Sequence, residues 1–410
     1  MNRNWKKAVA SVVVLVLVAV LAFGCAEKAE EEVVVITIGE LTDLTGPASP
    51  AIRSLHYCLE DLVRYYNEED LIPGVKLDIV TWDTKYDPSR AIPGYDWVRG
   101  KGAKLIISVE PPTGVVLKPF VDKDRFPVVN LSTNMAMLEP PGWIFTMSSP
   151  HCYMMKTLLK WIAEEHWDRD QGIAKVGIVG WEEVVIVETS EGMEDYCQEH
   201  QDQFDYVGAF MTPFGTWTWT AEIEKLKDCD YICATGIMMA DFINQFQGRG
   251  YSATFIDVGV ASAYRGYLVE KSGWEALDGT LSANVSLYRD QSTPMVEQAK
   301  MILQRYHPGE VEDILDEGLS YTGGWHNLTA AFEILKQAIE EVGAENFDGQ
   351  AFYDAAVEYR TTSPMWEGYP EGWGFTETKR YLVNDLTIYE FDADAEDMVR
   401  ITDYWLPLVD

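Results

Sequence analysis

The sequence predicts an α/β protein with two parallel β-sheets, each flanked by α-helices. Short apolar segments alternate with amphipathic segments of helical spacing, the pattern of parallel strands joined by crossover helices. This alternating series occurs twice in succession along the chain. The chain has 410 residues, of which 47% are hydrophobic, so it is long and apolar enough for two domains with their own cores.

The N-terminal segment has the order of a bacterial secretion signal. Basic residues open the chain, the run 8–23 is almost wholly apolar, and the small residue Gly24 precedes Cys25. The residues LAFGC at 21–25 resemble a lipobox, in which the cysteine is acylated and becomes the mature N-terminus. A membrane-spanning helix needs about 20 apolar residues, so a cleaved signal over 1–24 is preferred to the alternative, an uncleaved anchor helix.

The mature chain is therefore expected to be a lipoprotein held to a membrane through Cys25. Acyl chains anchor a protein without crossing the bilayer, and the acidic stretch 25–32 is interpreted as a solvated tether. The formal net charge is −34, and the sequence has no basic stripe to neutralise phosphates. This composition argues against a nucleic-acid partner.

The first strand–helix series covers residues 33–132. A parallel sheet is predicted because each strand is followed by a helix that can return the chain to the same edge. Pro93 and Gly94 are expected to disturb the second helix. The predicted strands are 33–41, 75–83, 103–110 and 126–132, and the predicted helices are 50–68, 87–102 and 114–123.

The second series begins near residue 150 and has the same design. A strand-rich tail covers 381–392, and the glycine- and aromatic-rich stretch 365–375 is interpreted as a loop or crossover. The predicted strands are 175–181, 204–212, 229–236 and 254–260, and the predicted helices are 151–166, 188–202, 220–227, 239–248, 293–307, 325–343 and 350–359. Two such units suggest a ligand cleft, because open parallel sheets bind ligands outside the carboxyl ends of their strands.

Five cysteines follow Cys25, an odd number that leaves at least one thiol unpaired in a monomer. Cys229 and Cys233 share one predicted strand, where they lie about 13 Å apart, too far for a disulfide. No CxxC motif or cysteine–histidine cluster occurs. We therefore interpret Cys58, Cys152, Cys197, Cys229 and Cys233 mostly as small buried apolar residues.

Several segments, in order, resemble the type I solute-binding proteins of the leucine/isoleucine/valine-binding group. ITIGELTDLTGPAS (36–49) is similar to the family's first strand and its Thr-Gly-Pro loop. YYNEEDLIPGVKLDIVTWDTKYDPSRA (65–91) is similar to the helix, glycine turn, strand and Asp-Pro-x-x-Ala that follow. LIISVEPPTGVVLKPFVDKDRFPVVNLST (105–133) resembles the next strand–helix–strand unit, and KVGIVGW (175–181) the opening of the second lobe.

The resemblance implies two Rossmann-like lobes joined by a three-crossover hinge. Lobe 1 would comprise 33–148 plus 262–365, and lobe 2 would comprise 149–261 plus 366–410. Family members bind a small extracytoplasmic solute between the lobes and deliver it to the permease of an ABC importer. Most take amino acids, and others take amides, urea or aromatic acids. No cofactor, metal or catalytic residue is expected.

The resemblance further implies that lobe 1 holds the ligand's carboxylate with hydroxyls and backbone N–H groups at helix starts, where the helix dipole favours an anion. Ordinary alternatives remain open at each position: a tight turn, an N-cap and a polar turn, respectively. The candidate residues are Thr45 and Gly46, Thr113 and Gly114, and Ser132, Thr133 and Asn134.

Lobe 2 of the family contributes an acidic residue for the ligand's ammonium group and apolar side chains around its body. Asp257 fits the acidic role, with a turn-capping aspartate as the alternative, and Trp181 and Met238 would wall the pocket. The sequence departs from the family pattern after Trp181, where Glu182 and Glu183 replace a Tyr-Gly pair. It also has TWTWTAE (216–222) where Thr-Asp is usual, so the branched-chain specificity does not carry over.

Two other classes of protein are compatible with a secreted α/β chain. A hydrolase would need catalytic carboxylates or a nucleophile, but neither G-x-S-x-G nor H-E-x-x-H occurs, and with 66 acidic residues chance carboxylate pairs are common. A ligand sensor would use the same cleft without an importer. Permease and ATPase genes next to the gene would favour uptake over sensing.

Overall fold

The computed structural model describes residues 33–289, 291–318 and 320–410. The predicted signal segment 1–24, the lipidation site Cys25 and the tether 25–32 lie outside the described residues. Within these ranges, none of the helices combines the length and the apolar character that crossing a bilayer requires.

The first sheet has five strands and is parallel throughout. They are β1 (Val34–Thr42), β2 (Val75–Asp83), β3 (Ala103–Ser108), β4 (Val128–Asn130) and β5 (Ile144–Thr146), in the order β2-β1-β3-β4-β5. The helices of this segment are α1 (Ser49–Glu68), α2 (Ala91–Gly100), α3 (Pro111–Asp124) and α4 (Met135–Leu138). The parallel order confirms the predicted series and adds β5, which the apolar pattern did not mark.

Local sequence explains where the first helices begin. Pro50 lies in the first turn of α1, where its missing N–H costs no hydrogen bond, and the apolar spacing buries one face. The prediction that Pro93 and Gly94 disturb the second helix is wrong. A short 3-10 turn, Pro88–Arg90, precedes α2, so Pro93 also falls in a first turn. Gly94 lets α2 approach the ring of Trp82, which a Cβ would overlap.

The second sheet is mixed and has eight strands, seven of which follow one another in a continuous order. They are β6 (Ala174–Trp181), β7 (Phe204–Thr212), β8 (Tyr231–Ala234), β9 (Thr254–Asp257), β10 (Leu281–Asn284), β11 (Asp385–Asp392) and β12 (Asp397–Arg400), in the order β12-β11-β10-β9-β8-β6-β7. The short β13 (Leu406–Pro407) pairs with β11. From β10 to β7 the strands are parallel as predicted, whereas β11 and β12 are antiparallel at one edge.

The helices after β5 surround this sheet and complete the first lobe. Those before β10 are α5 (His151–Trp161, continued by a π-helical turn Ile162–His166), α6 (Val184–Glu199), α7 (Thr220–Leu226), α8 (Met239–Gln247), α9 (Val260–Ala263), α10 (Arg265–Ser272) and α11 (Trp274–Leu277). Those after β10 are α12 (Pro294–Tyr306), α13 (Val311–Glu317), α14 (Ser320–Val342) and α15 (Gly349–Glu358).

The second passage between the sheets differs from the predicted division, which assigned 262–365 to lobe 1. Strand β10 lies within that range, yet it pairs with β9 and β11 in the second sheet. The chain therefore returns to the first lobe after Asn284. There, α14 packs on α1: Gly324 contacts Cys58, and Phe332 meets the ring of Tyr66 edge to face.

The third passage also falls at a different place. The backbone of Thr146 in β5 accepts from Leu382 and donates to Arg380, so the chain still lies beside the first sheet at these residues. It then enters the second sheet at Asp385, the first residue of β11. The predicted boundary at 366 thus lies 19 residues before β11, because 365–375 is an aromatic cluster packed within the first lobe and not the crossover itself.

The cysteines have the predicted character. Cys58, Cys197, Cys229 and Cys233 are buried, Cys152 is partly buried, and all five are free thiols. Burial raises the pKa of Cys197 and of Cys229 to about 12, which keeps these thiols protonated at neutral pH. They are apolar packing residues of the second lobe.

Close packing of α5 on α6 positions the residues that α6 presents to the other lobe. Gly192 of α6 faces the backbone of Cys152, and a Cβ there would overlap main-chain atoms that cannot rotate away. We expect Gly192→Ala to lower the free energy of unfolding by about 1–3 kcal/mol, measured by urea denaturation. Gly100→Ala is the matched control, because nothing lies near that position at the end of α2. Equal stability of the two variants would contradict this packing.

Candidate functional site

A cavity of about 190 Å³ lies between the carboxyl ends of the two sheets, and we call it the main cavity. Loops 109–111 and 131–132 of the first sheet line one side, and loops 258–260 and 284–286 of the second line the other. Each loop directly follows a parallel strand, which is where open α/β sheets present their ligand-binding residues.

A smaller space of about 70 Å³, the aromatic cavity, adjoins the main cavity. Trp181, Phe214 and Met238 from the second lobe wall it. The indole of Trp181 is fixed by a hydrogen bond from Nε1 to the carbonyl of Thr216 (2.7 Å). The two cavities share five lining residues, Ala48, Tyr86, Val185, Val260 and Tyr264, so together they form one elongated, mostly apolar space.

Glu110 places a carboxylate in the main cavity at the start of α3. Its side chain is only 2% exposed, and its oxygens accept hydrogen bonds from the hydroxyls of Thr84 and Thr113. Burial raises the pKa of Glu110 to about 7, the two hydroxyls oppose that rise, and the nearby carboxylates Asp43 and Asp83 add to it. The carboxylate is therefore held in the cavity at a cost in free energy.

The rest of the main cavity is apolar or offers neutral polar groups. His151 is buried, and its Nδ1 donates to the carbonyl of Thr133 (2.7 Å), which leaves Nε2 as an acceptor in the neutral ring. Among the described residues, neither lysine nor arginine lines the main or the aromatic cavity. The described residues contain no group of three or more His, Cys, Asp or Glu side chains that could hold a metal ion.

Direct contacts join the two lobes beside the cavities. Glu188 of α6 is buried, and its carboxylate accepts from Nδ2 of Asn134 (2.9 Å) and from the backbone N–H of Met135 (3.1 Å), both in the first lobe. Tyr86 of the first lobe donates from its hydroxyl to Glu183 (3.2 Å) and stacks on Phe214. These contacts join opposite lobes and hold the observed arrangement.

Three of the predicted ligand residues line the cavities. Ser132 lines the main cavity, and Trp181 and Met238 line the aromatic cavity. Asn134 lies beside them, but its side chain caps α4 and binds Glu188 across the lobes. Thr133 is fully buried next to His151 and does not line either cavity.

The structure places the other lobe 1 candidates in supporting positions. Thr45 donates to Asp83 (2.6 Å) and Gly46 donates to Asp43, so both belong to the turn before α1, the ordinary alternative. Thr113 is not the first residue of its helix: α3 starts at Pro111, and the Thr113 hydroxyl donates to Glu110 (2.8 Å). Gly114 packs under Met137 and Asn130, where a Cβ would collide. None of these four lines a cavity.

Asp257 also does not reach the cavities. Its side chain is fully buried, one oxygen accepts from Thr235, and the other accepts from Ser282 of β10 (2.8 Å). Backbone N–H groups of Gly259 and Ala261 donate to it as well. The structure therefore corrects the expected ammonium-binding role: Asp257 is a structural acceptor that joins β8, β9 and β10.

Sequence reasoning missed the polar and aromatic residues that shape the main cavity. Glu110 ends the predicted strand 103–110 directly before Pro-Pro, so its strand-end position was visible. His151 belongs to no recognisable motif, yet it is 4% exposed and lines the cavity. Tyr86 and Tyr264 carry no local signal, because only the approach of the two lobes brings their rings together with the cavity.

Two α/β lobes joined by three passages, with a cavity between their strand ends, define the type I class of periplasmic solute-binding proteins. A family model described as periplasmic binding protein matches residues 35–396, and the chain belongs to this family. The family consists of extracytoplasmic solute-binding components of ABC transporters, and its members bind solutes without catalysis.

Solved structures from several organisms share the fold over most of their length. A branched-chain amino acid ABC transporter protein from Thermus thermophilus with bound valine has a TM-score of 0.79 and 20% identity, covering 92% of this chain and 97% of that chain. A fatty acid ABC transporter substrate-binding protein from Thermomonospora curvata has a TM-score of 0.75 and 14% identity, covering 92% of both chains.

A solute-binding protein of an ABC transporter from Rhodopseudomonas palustris, in complex with 3,4-dihydroxybenzoic acid, has a TM-score of 0.72 and 14% identity, covering 92% of this chain and 97% of that chain. A comparison with curated proteins found no match. At these low identities the similar structures establish the fold, and their three different ligands do not select one for this chain.

Proposed function

We propose that this protein captures a small, largely apolar organic solute between its lobes and delivers it to the permease of an ABC importer. The observation that carries the proposal is the main cavity, which strand-end loops of both lobes line together. Attachment to the membrane through an acylated Cys25 belongs to the same proposal and rests on the lipobox-like sequence at 21–25.

Lobe closure is the proposed mechanism. A solute held between 109–111 and 258–260 would contact both lobes only when they approach, so it would shift the balance toward the closed form by its differential affinity. The contacts of Tyr86 with Glu183 and of Asn134 with Glu188 join the two lobes, so separation of the lobes would break them. A permease can then distinguish loaded from empty protein by shape.

The sequence predicts a carboxylate-bearing solute, such as an amino acid or a related amide or acid. Support for this finer prediction comes from the family resemblance and from Ser132, which lines the cavity. The proposed lobe 2 ammonium site is not available at Asp257, and Glu110 is the carboxylate that lines the main cavity.

A ligand screen tests the proposed function. Purified protein is heated with amino acids, amides, aromatic and aliphatic acids, amines and sugars, and a true ligand at 100 times its Kd should stabilise the fold by about 2.7 kcal/mol. Small-angle X-ray scattering should show a more compact particle with the same ligand. A ligand that stabilises without compaction would contradict closure.

A cavity-filling variant locates the binding. Ser132→Trp should abolish the thermal shift, because the indole would occupy the main cavity that Ser132 lines. Ser252→Trp, at an exposed position between α8 and β9, is the matched control and should keep the shift. Full binding by Ser132→Trp would place the ligand elsewhere and contradict the proposed site.

A further inference from the structure

We propose that the solute is an organic amine, whose ammonium group meets Glu110 while its apolar body extends past Tyr86 and Tyr264 into the aromatic cavity. This inference rests on the proposed function, since it uses the same cavity. It assigns Glu110 as the residue that determines specificity for the charge of the solute.

The charges around the main cavity are one-sided. The Glu110 carboxylate is buried, yet its hydrogen-bond donors in the chain are the neutral hydroxyls of Thr84 and Thr113. Asp43 and Asp83 lie near enough to disfavour its ionisation further. Neither lysine nor arginine lines the cavities in the described part of the chain, so a cation from outside is the natural counter-charge.

The hydrogen-bonding groups that line the main cavity also favour an ammonium group. Each oxygen of Glu110 accepts one hydroxyl and has a further lone pair, and a primary ammonium has three N–H donors. When the ring of His151 is neutral, its Nδ1 donates to the carbonyl of Thr133 and its Nε2 is an acceptor. The amide groups that line the cavity are largely engaged within the protein: Nδ2 of Asn284 donates to the carbonyl and the hydroxyl of Ser282, and one N–H of Asn327 Nδ2 donates to the carbonyl of Leu131.

A solute with a carboxylate head group would face a like charge at the same position. The start of α3 faces the cavity through Glu110 and Pro111, and an anion there would gain from the helix dipole. Glu110 is the N-cap residue of that helix, and its carboxylate, although it makes no capping hydrogen bond, already places a negative charge at this helix start. A ligand carboxylate would therefore lie against a like charge without a lysine or arginine of the lining to offset it.

The residues that line the two cavities determine which kind of solute body fits beside the ammonium group. Val185, Val260 and Ala48 line both cavities, and Trp181 and Met238 close the far end. Apart from Thr235 and from Glu183, whose carboxylate accepts from Tyr86, the aromatic cavity offers mostly apolar surface, which suits an aliphatic or aromatic body. The two spaces, about 190 Å³ and 70 Å³, suit a small molecule with one polar end.

Matched series of probes with one shared body test the inference on the wild-type protein. The aliphatic series is 3-methylbutylamine, leucine and 4-methylpentanoate, and the aromatic series is 2-phenylethylamine, phenylalanine and 3-phenylpropanoate. Isothermal titration calorimetry at about pH 8 should show binding of the amine in at least one series. In that series the free acid should bind at least about tenfold more weakly, because a like charge faces Glu110.

Charge removal at Glu110 provides the second arm. Glu110→Gln should weaken the amine by about 10–100-fold, the range for losing a charge-assisted hydrogen bond, and should not weaken the acid. Glu182→Gln is the matched control, because Glu182 is exposed and lines neither cavity; it should leave the amine affinity unchanged.

The outcomes separate this inference from the proposed function. Tighter binding of an acid or an amino acid than of its amine, or an unchanged amine affinity in Glu110→Gln, overturns the amine and leaves solute capture standing. If the whole screen, amines included, gives neither stabilisation nor compaction, the proposed function fails as well. Because the probe ranking is measured on the wild type, a variant that misfolds does not decide the result.

Discussion

Replacing Asp257 by alanine is expected to lower the free energy of unfolding by about 3–5 kcal/mol. The carboxylate accepts from the hydroxyls of Thr235 and Ser282 and from the backbone N–H groups of Gly259 and Ala261, all within the second lobe. Alanine would leave these donors without their acceptor, and each buried unsatisfied donor costs about 1–3 kcal/mol. Urea denaturation followed by far-UV circular dichroism measures the loss.

Two control variants separate structure from charge. Asp257→Asn keeps one acceptor oxygen and should lose less stability than alanine, with unchanged affinity for any solute found by the screen, because Asp257 lines neither cavity. Asp228→Ala removes an exposed carboxylate and should change stability by less than about 0.5 kcal/mol. A stable Asp257→Ala protein with weakened solute binding would restore the ligand-contact role and contradict the present assignment.

The case of Asp257 shows which part of a site a sequence can predict. The start of strand β9 was predicted correctly at Thr254, and Asp257, expected near its end, is its last residue, although the predicted strand 254–260 continues three residues further. Which way the last side chain points was not predictable, since successive strand residues face opposite sides and a one-residue change reverses them. The strand-end position was correct, and the side chain nevertheless points into the sheet.

The strands and helices were easier to predict from the sequence than the points at which the chain passes between the lobes. The periodic segments of β1, α1 and β6 are long and regular, so local spacing fixes them. Strand β10 is short and polar at Ser282 and Asn284, and its place beside β9 depends on pairing with β11, a hundred residues later in the chain. Pairing over such a separation leaves no periodic trace, which is why 262–365 was assigned to one lobe.

The location of the main cavity was predicted from the sequence, but the chemical character of its lining was not. Parallel strands in two series place loops at one cleft, and the resemblance to solute-binding proteins pointed to Ser132, Trp181 and Met238 within those loops. Glu110 was not predicted, because the family resemblance points to hydroxyls at the start of the helix. The Thr113 hydroxyl is there, but it serves the carboxylate and does not line the cavity.

Glu110→Gln is expected to make the empty protein more stable at high pH. The pKa of this carboxyl rises to about 7 in the fold from 4.5, so between these values the folded state binds more protons than the unfolded state. Stability of the wild type therefore falls as pH rises through that interval, and glutamine, which does not titrate, removes the fall. The advantage of the variant should be about 2 kcal/mol larger at about pH 8 than at about pH 5.

Chemical denaturation of both proteins at the two pH values measures this difference, with Glu182→Gln as a control that should show none. A variant less stable than the wild type by the same amount at both pH values would mean that the fold favours the carboxylate, contrary to its burial without a cation. If the expected result holds, ligand binding gains a source of free energy. An ammonium beside Glu110 would lower its pKa again and recover the stability that the empty cavity gives up, which links selectivity for a cation to the marginal stability of the unliganded site.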